Sequence, residues 1–146
     1  YRLEQNDEEA SLLQQFITHT QLNAQITNPY ISHGSAALLK HFVSGYHQGI
    51  TVTCPGFYGP QGRVLRGPIA FPNLVDALTT FQCGMHRIAN FEMETSGLYG
   101  LSKVLGHQCL SLSLGVNNRL QKKVMDNIPE GIDKLIKSAL SIVESI

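Results

Sequence analysis

The chain has 146 residues, 42% of them hydrophobic and 15% charged, and its eleven basic residues balance eleven acidic ones. That length holds one domain or part of one, and a formal net charge of zero argues against a broad nucleic-acid surface. No apolar run approaches the roughly 20 residues that cross a bilayer, so no membrane partner is expected. Tyr1-Arg2-Leu3-Glu4-Gln5 lacks the apolar stretch of a signal peptide, and the missing initiator Met fits a processed or truncated product. Cys54, Cys83 and Cys109 are odd in number and form no CxxC pair, which speaks for buried thiols in a reducing cytoplasm rather than a disulfide or zinc framework.

Asn6-Asp7-Glu8-Glu9 reads as a helix N-terminus, with Leu12, Leu13, Phe16 and Ile17 recurring at helical spacing to about His19. Thr27-Asn28-Pro29 breaks that pattern. A second helix is expected over Ser32 to Tyr46, with Ala36, Leu39, Phe42 and Val43 on its apolar face. From Gly49 to Cys54 the period changes: Ile50 and Val52 alternate with Thr51 and Thr53, as in a strand. The Gly/Pro-rich loop Phe57 to Arg63 follows, then a short strand element over Val64 to Ala70 and a helix over Asn73 to Phe81. Glu92 to Leu105 reads as a helix with Leu98, Leu101, Val104 and Leu105 buried and Gly106 as its stop. Leu110, Leu112 and Leu114 alternate with Ser111 and Ser113 as a strand, and Val116 to Arg119 reads as a loop. The last helix runs from about Pro129 to Ser145, with Ile132, Leu135, Ile136, Ala139, Leu140 and Val143 on one face. This order predicts an α/β architecture in which helices cover a sheet.

Two segments carry candidate chemistry. In Phe57-Tyr58-Gly59-Pro60-Gln61-Gly62-Arg63, an amide and a guanidinium offer the mixed donors and acceptors that a pyrimidine edge requires, beside a ring that can pack on it. A plain turn with a core Phe57 and a solvated Arg63 explains the same residues. In Asn90-Phe91-Glu92-Met93-Glu94, one carboxylate can accept from both hydroxyls of a sugar diol. Alternatively, the acidic pair complements a helix dipole and Met93 is core. Arg119 stands on a loop at a strand end, either a ligand position or an exposed turn. The six histidines form no metal spacing, and no metal is assigned.

The first segment resembles the uracil-recognition loop of uridine phosphorylases, and Asn90 to Thr95 resembles their ribose-binding segment. The Leu/Ser strand and Asn118-Arg119 look like the strand and loop that follow. The resemblance covers about Gly49 to Ile146 with order and spacing kept. It implies the C-terminal part of the nucleoside phosphorylase α/β sandwich, with a mixed central sheet flanked by helices. It further implies a pentosyltransferase of pyrimidine salvage, cleaving uridine with phosphate to uracil and ribose 1-phosphate. Inorganic phosphate is then a co-substrate, no cofactor is needed, and the full protein is a homo-oligomer, dimer or hexamer. Carried over by position, Gln61 and Arg63 bind the uracil edge and Phe57 packs on the nucleoside. Met93 contacts sugar or base, Glu94 holds the ribose hydroxyls, Glu92 borders the site, and Arg119 helps close the base pocket. Arg63 and Glu94 are the expected catalytic groups.

Purine-cleaving relatives place an Asp after the corresponding strand. Leu112 to Arg119 has none, which favours uracil nucleosides over a purine phosphorylase or nucleosidase. The family's Gly-rich phosphate loop and phosphate-holding arginines find no counterpart in the first 48 residues, where Arg2 is the sole arginine. The chain therefore reads as the nucleoside half of such an enzyme. Alone it is expected to be a poor catalyst with exposed strand edges, the competing reading being a non-catalytic nucleoside-binding or structural remnant.

Overall fold

The computed structural model describes residues 3–146. Helix α1, Asp7–Thr20, starts at a reciprocal capping box. Asn6 Oδ1 accepts from Glu9 N at 2.8 Å, and Asn6 N donates to Glu9 Oε2 at 3.0 Å. The helix stops at Gln21, which takes the left-handed conformation at φ 53°.

The helix expected over Ser32 to Tyr46 is a single turn, α2, Ala36–Leu39. Its N-terminal side is held extended, because Ser35 N donates to Cys109 O at 2.7 Å. Gly34 lies so close under Tyr99 that a Cβ would stand 2.7 Å from the phenol oxygen. Beyond the turn, Gly45 adopts φ 81°, which an α-helix does not continue through. Phe42 is the one fully buried member of the expected apolar face, and Val43 is exposed.

Strand β1, Ile50–Thr53, forms as its alternation predicts. It pairs in parallel with a strand that the sequence reading missed, β3, His86–Glu92, and the register sets Val52 opposite Phe91 and Thr53 opposite Glu92. The short strand β2, Gln82–Cys83, pairs antiparallel with the start of β3. Gly84, at φ 58°, is the first of the two residues that turn this hairpin, the position at which a type II′ turn uses glycine. The sheet order is β1-β3-β2, so the sheet is mixed.

Helix α3, Leu74–Thr80, lies where expected. Phe16 of α1 joins Leu74, Leu78 and Phe81 in the buried core, against Ile50, Val52, Ile88 and Phe91 of the sheet. Phe16 meets Phe81 edge-on, ring centroids 5.4 Å apart. No strand forms over 64–70. Gly67 and Pro68 interrupt the segment, Pro68 has no amide for a ladder, and Val64 and Leu65 point to solvent.

Helix α4, Thr95–Leu105, begins three residues later than expected, because Glu92 closes β3 and Met93 and Glu94 form the bend between. Gly106 ends it at φ 71°. The helix lies against β1. Its Lys103 reaches α1, where Nζ donates to Glu9 Oε2 at 2.8 Å. Leu98, Leu101, Val104 and Leu105 are exposed rather than buried.

The strand expected over Leu110 to Leu114 does not form: the segment has no ladder partner among the described residues. Side chains hold it instead: Ser111 N donates to Tyr99 Oη at 2.9 Å, and Asn90 Nδ2 donates to Ser113 Oγ at 3.0 Å. The loop expected after it is a hairpin of β4, Asn117–Asn118, and β5, Lys123–Val124. Helix α5, Ile128–Val143, completes the fold, with Asn127 as cap and Pro129 in its first turn. Gly131 sits where a Cβ would come within 2.9 Å of Leu114 and Met125, which explains why this helix tolerates glycine there. Ile132, Ile136, Leu140 and Val143 on its apolar face are exposed. Of the cysteines, only Cys54 is buried, and all three are free thiols.

Candidate active site

The parallel pairing of β1 and β3 brings the two candidate segments together. Both strands end at the same level, with Thr53 beside Glu92, and Cys54 N extends the ladder by donating to Glu92 O at 2.9 Å. The loop carrying Phe57 to Arg63 leaves one strand end and the Met93-Glu94 bend leaves the other. Crevices outside the carboxyl ends of parallel strands are the usual ligand positions of open α/β sheets.

Gln61 is the buried centre of the first cluster, at 4% exposure. A 3₁₀ turn, Gly59–Gln61, places it, and Gly62 follows at φ 74°, turning the chain so that Arg63 folds back. Arg63 Nη1 donates to Gln61 Oε1 at 2.7 Å and also to the Phe57 carbonyl. Its guanidinium lies 3.7 Å over the Phe57 ring, so one face of that ring is taken by a cation–π contact. Arg119, at the end of the β4 strand, arrives from the opposite side. Its Nη1 donates to Gln61 O at 2.7 Å and its Nη2 to Gln61 Oε1. Phe91 of β3 supports it from 5.2 Å. Burial lowers the Arg119 pKa, and the neighbouring Arg63 charge lowers it further.

The acidic segment divides in two. Glu92 is half-buried, and both of its oxygens serve the chain itself. Oε1 accepts from Thr53 Oγ1, and Oε2 accepts from Glu94 N and Thr95 N at 2.8 Å each. Thr53 Oγ1 in turn accepts from Ser96 N at 3.0 Å. Together they satisfy the free amides at the start of α4. Burial pushes the Glu92 carboxyl upward, but these hydrogen bonds outweigh it and hold the pKa below the ordinary carboxylate value. Glu94, by contrast, is exposed, and among the described residues its carboxylate accepts only from the adjacent Met93 N, at 3.1 Å. Met93 is exposed beside it.

Phe57, Gln61, Arg63 and Arg119 are therefore one connected cluster, while Met93 and Glu94 stand open at the next strand end. Cys54 joins the two: its thiol feels the Arg119 charge on one side and the Glu92 charge on the other. Sequence reasoning missed Thr53 and Phe91. Phe91 lay inside the quoted segment, whereas a threonine in a Thr-rich strand carries no signal of its own. Among the described residues, no group of three His, Cys, Asp or Glu is placed to hold a metal ion. An open groove of about 590 Å³ lies elsewhere, between Tyr46, Leu114 and the start of α5, and shares no residue with either segment.

The mixed sheet flanked by helices, with both candidate segments at one set of strand ends, has the fold of about half of a nucleoside phosphorylase. The chain is similar to the crystal structure of a Trypanosoma brucei nucleoside phosphorylase, described as showing uridine phosphorylase activity. The TM-score is 0.77 at 24% sequence identity, over 96% of this chain and 49% of that one. The chain thus spans about half the length of that protein. No family model matches the sequence, and no curated protein does.

Proposed function

We propose that this chain is the nucleoside-binding half of a uridine phosphorylase-like pentosyltransferase. The observation that carries this reading is the parallel register of Thr53 and Glu92, which sets the Gln61/Arg63 loop and the Met93-Glu94 bend side by side. One offers donors to a base, the other a carboxylate to a diol.

In this reading uridine lies across the two strand ends. Gln61, Arg63 and Arg119 face the uracil oxygens, Phe57 borders the base, Met93 packs on the sugar, and the Glu94 carboxylate accepts from the ribose hydroxyls. Cleavage breaks the bond from C1′ to the uracil nitrogen, and its electron pair leaves with uracil. A phosphate oxygen forms the new bond at C1′. Positive charge grows on the sugar and negative charge on the base, so preorganised guanidinium donors stabilise the leaving group as it departs. Glu94 orients the ribose and lies on the side where positive charge develops. Glu92 acts through position: it anchors the start of α4 and thereby the bend that presents Glu94. Phosphate is held by groups outside these residues.

The test uses the full-length protein with uridine, with and without phosphate. Uracil and ribose 1-phosphate appearing only with phosphate support the reading. Equal uracil release without phosphate identifies a nucleosidase, and no release from any nucleoside identifies a binding or structural protein.

A further inference from the structure

Residues 110–114 carry the alternation of a strand but stand outside every ladder among the described residues. The bonds that hold them come from odd-numbered positions. Cys109 O accepts from Ser35 N at 2.7 Å, and Ser111 N donates to Tyr99 Oη at 2.9 Å. Ser111 Oγ accepts from Thr95 Oγ1 at 3.1 Å, and Ser113 Oγ accepts from Asn90 Nδ2 at 3.0 Å. Among the described residues, the N–H and C=O groups of Leu110, Leu112 and Leu114 meet no partner. In strand geometry the backbone groups of residues two apart point to the same edge, and those of the residues between point to the other. The Ser35 and Tyr99 contacts therefore occupy one edge, and the three leucines leave the opposite edge open. Three successive N–H and C=O pairs at that spacing are a template for one more strand. Apolar surface beside this edge is open as well. Leu114 lies against α5, because a Cβ on Gly131 would stand 2.9 Å from it. Along that helix Ile132, Ile136, Leu140 and Val143 recur at helical spacing and are exposed. A helix of an α/β fold rests such a stripe on a sheet, and a strand added beside Leu114 begins to supply one.

We propose that the open edge of residues 110–114 receives a β-strand from the part of the full-length protein that lies outside these 146 residues. The demand for a strand rests on the backbone of the three leucines alone. Its origin in the same protein rests on the phosphorylase reading, since about half of the similar nucleoside phosphorylase has no counterpart in this chain. The chemistry of the incoming strand follows from the two faces it joins. Beside the leucines it carries apolar residues, and beside Ser111 and Ser113, which face Thr95 and Asn90, it carries small or polar ones.

The experiment combines hydrogen exchange with photo-cross-linking, both on the full-length protein. Exchange is read at single amides, and those of Leu110, Leu112 and Leu114 should exchange at least about 100-fold more slowly than in a free peptide. Photo-leucine, incorporated in place of leucine, then identifies the segment beside them. Protein made with light nitrogen and protein made with heavy nitrogen are refolded together, so that cross-links between copies show up as label-mixed products. Slow exchange, with single-label cross-links from the 110–114 peptide to a peptide outside these 146 residues, supports the inference. Exchange at free-peptide rates overturns it. Cross-links confined to these 146 residues of the same copy also overturn it, and label-mixed cross-links overturn it by making a second copy the occupant. Uridine phosphorolysis measured on the same preparation separates the two readings. Phosphorolysis without the added strand removes the inference and leaves the phosphorylase reading standing, and an added strand without phosphorolysis does the reverse.

Discussion

Glu92→Gln separates the supporting carboxylate from Glu94, the one that the proposed function turns toward substrate. In the native protein Glu92 Oε2 accepts from two backbone amides at 2.8 Å each, and Oε1 accepts from Thr53. Hydrogen bonds to a charged group contribute about 1.5–3 kcal/mol each, but glutamine keeps one acceptor oxygen and the site is half-open to solvent. The loss is therefore about 2 kcal/mol, including the favourable field at the start of α4. For a domain of this size that lowers Tm by about 4–8 °C at pH 7. The sign with pH follows from the lowered pKa. Stability from Glu92 is fully present above its unfolded value of about 4.5 and disappears as pH falls through its own lower pKa. The gap between native protein and variant should accordingly close in acid. Glu94→Gln is the control: its exposed carboxylate supports no distant group, so Tm should move by no more than about 2 °C. On uridine, kcat/KM of that variant should fall about 10- to 100-fold. Differential scanning calorimetry from about pH 2 to 8, a range that brackets the ordinary glutamate pKa of about 4.3, with steady-state kinetics on the full-length protein, reads both effects. A Glu92→Gln protein that melts with the native one, or a Glu94→Gln protein that loses stability and keeps its kinetics, refutes this division of roles.

Removing a preorganised donor aimed at a developing anion costs about 10²- to 10³-fold in rate, so Arg63→Ala should lower kcat on uridine by that order; unchanged kinetics remove Arg63 from the base subsite. Lys103→Met leaves the buried Glu9 carboxylate with only His33 Nε2, at 3.9 Å, as a basic neighbour among the described residues, and because Lys103 is partly exposed the cost should be near the low end for such pairs, about 3 kcal/mol in urea unfolding. Phe81→Ala removes a ring that is 3% exposed from the contact between α1 and α3, and should cost about 3–5 kcal/mol by the same measurement. In a timed iodoacetamide reaction at pH 8 followed by peptide mass spectrometry (about half a unit below the ordinary thiol pKa), Cys83 and Cys109 should be modified well before Cys54, which is buried and has its pKa raised to about 11. Early labelling of Cys54 would show that the strand ends open readily.

Elements that announce themselves over a few residues were legible in the sequence. The capping box at Asn6 and the alternation over Ile50 to Thr53 placed α1 and β1, and the helical stripe after Pro129 placed α5. Strand β3 was not legible, because its stability comes from pairing with a strand far back in the chain, and its last residues run into a helical pattern that absorbed them. The same distance dependence hid the single-turn character of α2, set by Cys109 through Ser35. The Leu/Ser alternation after Gly106 produces no strand, because a ladder requires a neighbour that none of the described residues supplies. Within the candidate site, residue types in two short segments picked out two loops that the pairing of β1 with β3 sets side by side. That Glu92 serves helix α4 depends on Thr53, and that Gln61 is gripped from two sides depends on Arg119, and neither relation is local.

Because the Phe57 to Arg63 loop and the Met93-Glu94 bend hang from separate strands, only the ladder between Thr53 and Glu92 dictates how far apart they stand. Each can be lengthened, shortened or replaced while the other keeps its place, provided the strands beneath are untouched. A one-residue insertion inside β1 is a different matter, since it would turn Thr53 to the opposite face and release both the carboxylate and the helix it anchors. For protein engineering this makes the scaffold a two-socket board: under the proposed function, choice of base would be reprogrammed by grafting one loop and choice of sugar by editing the other.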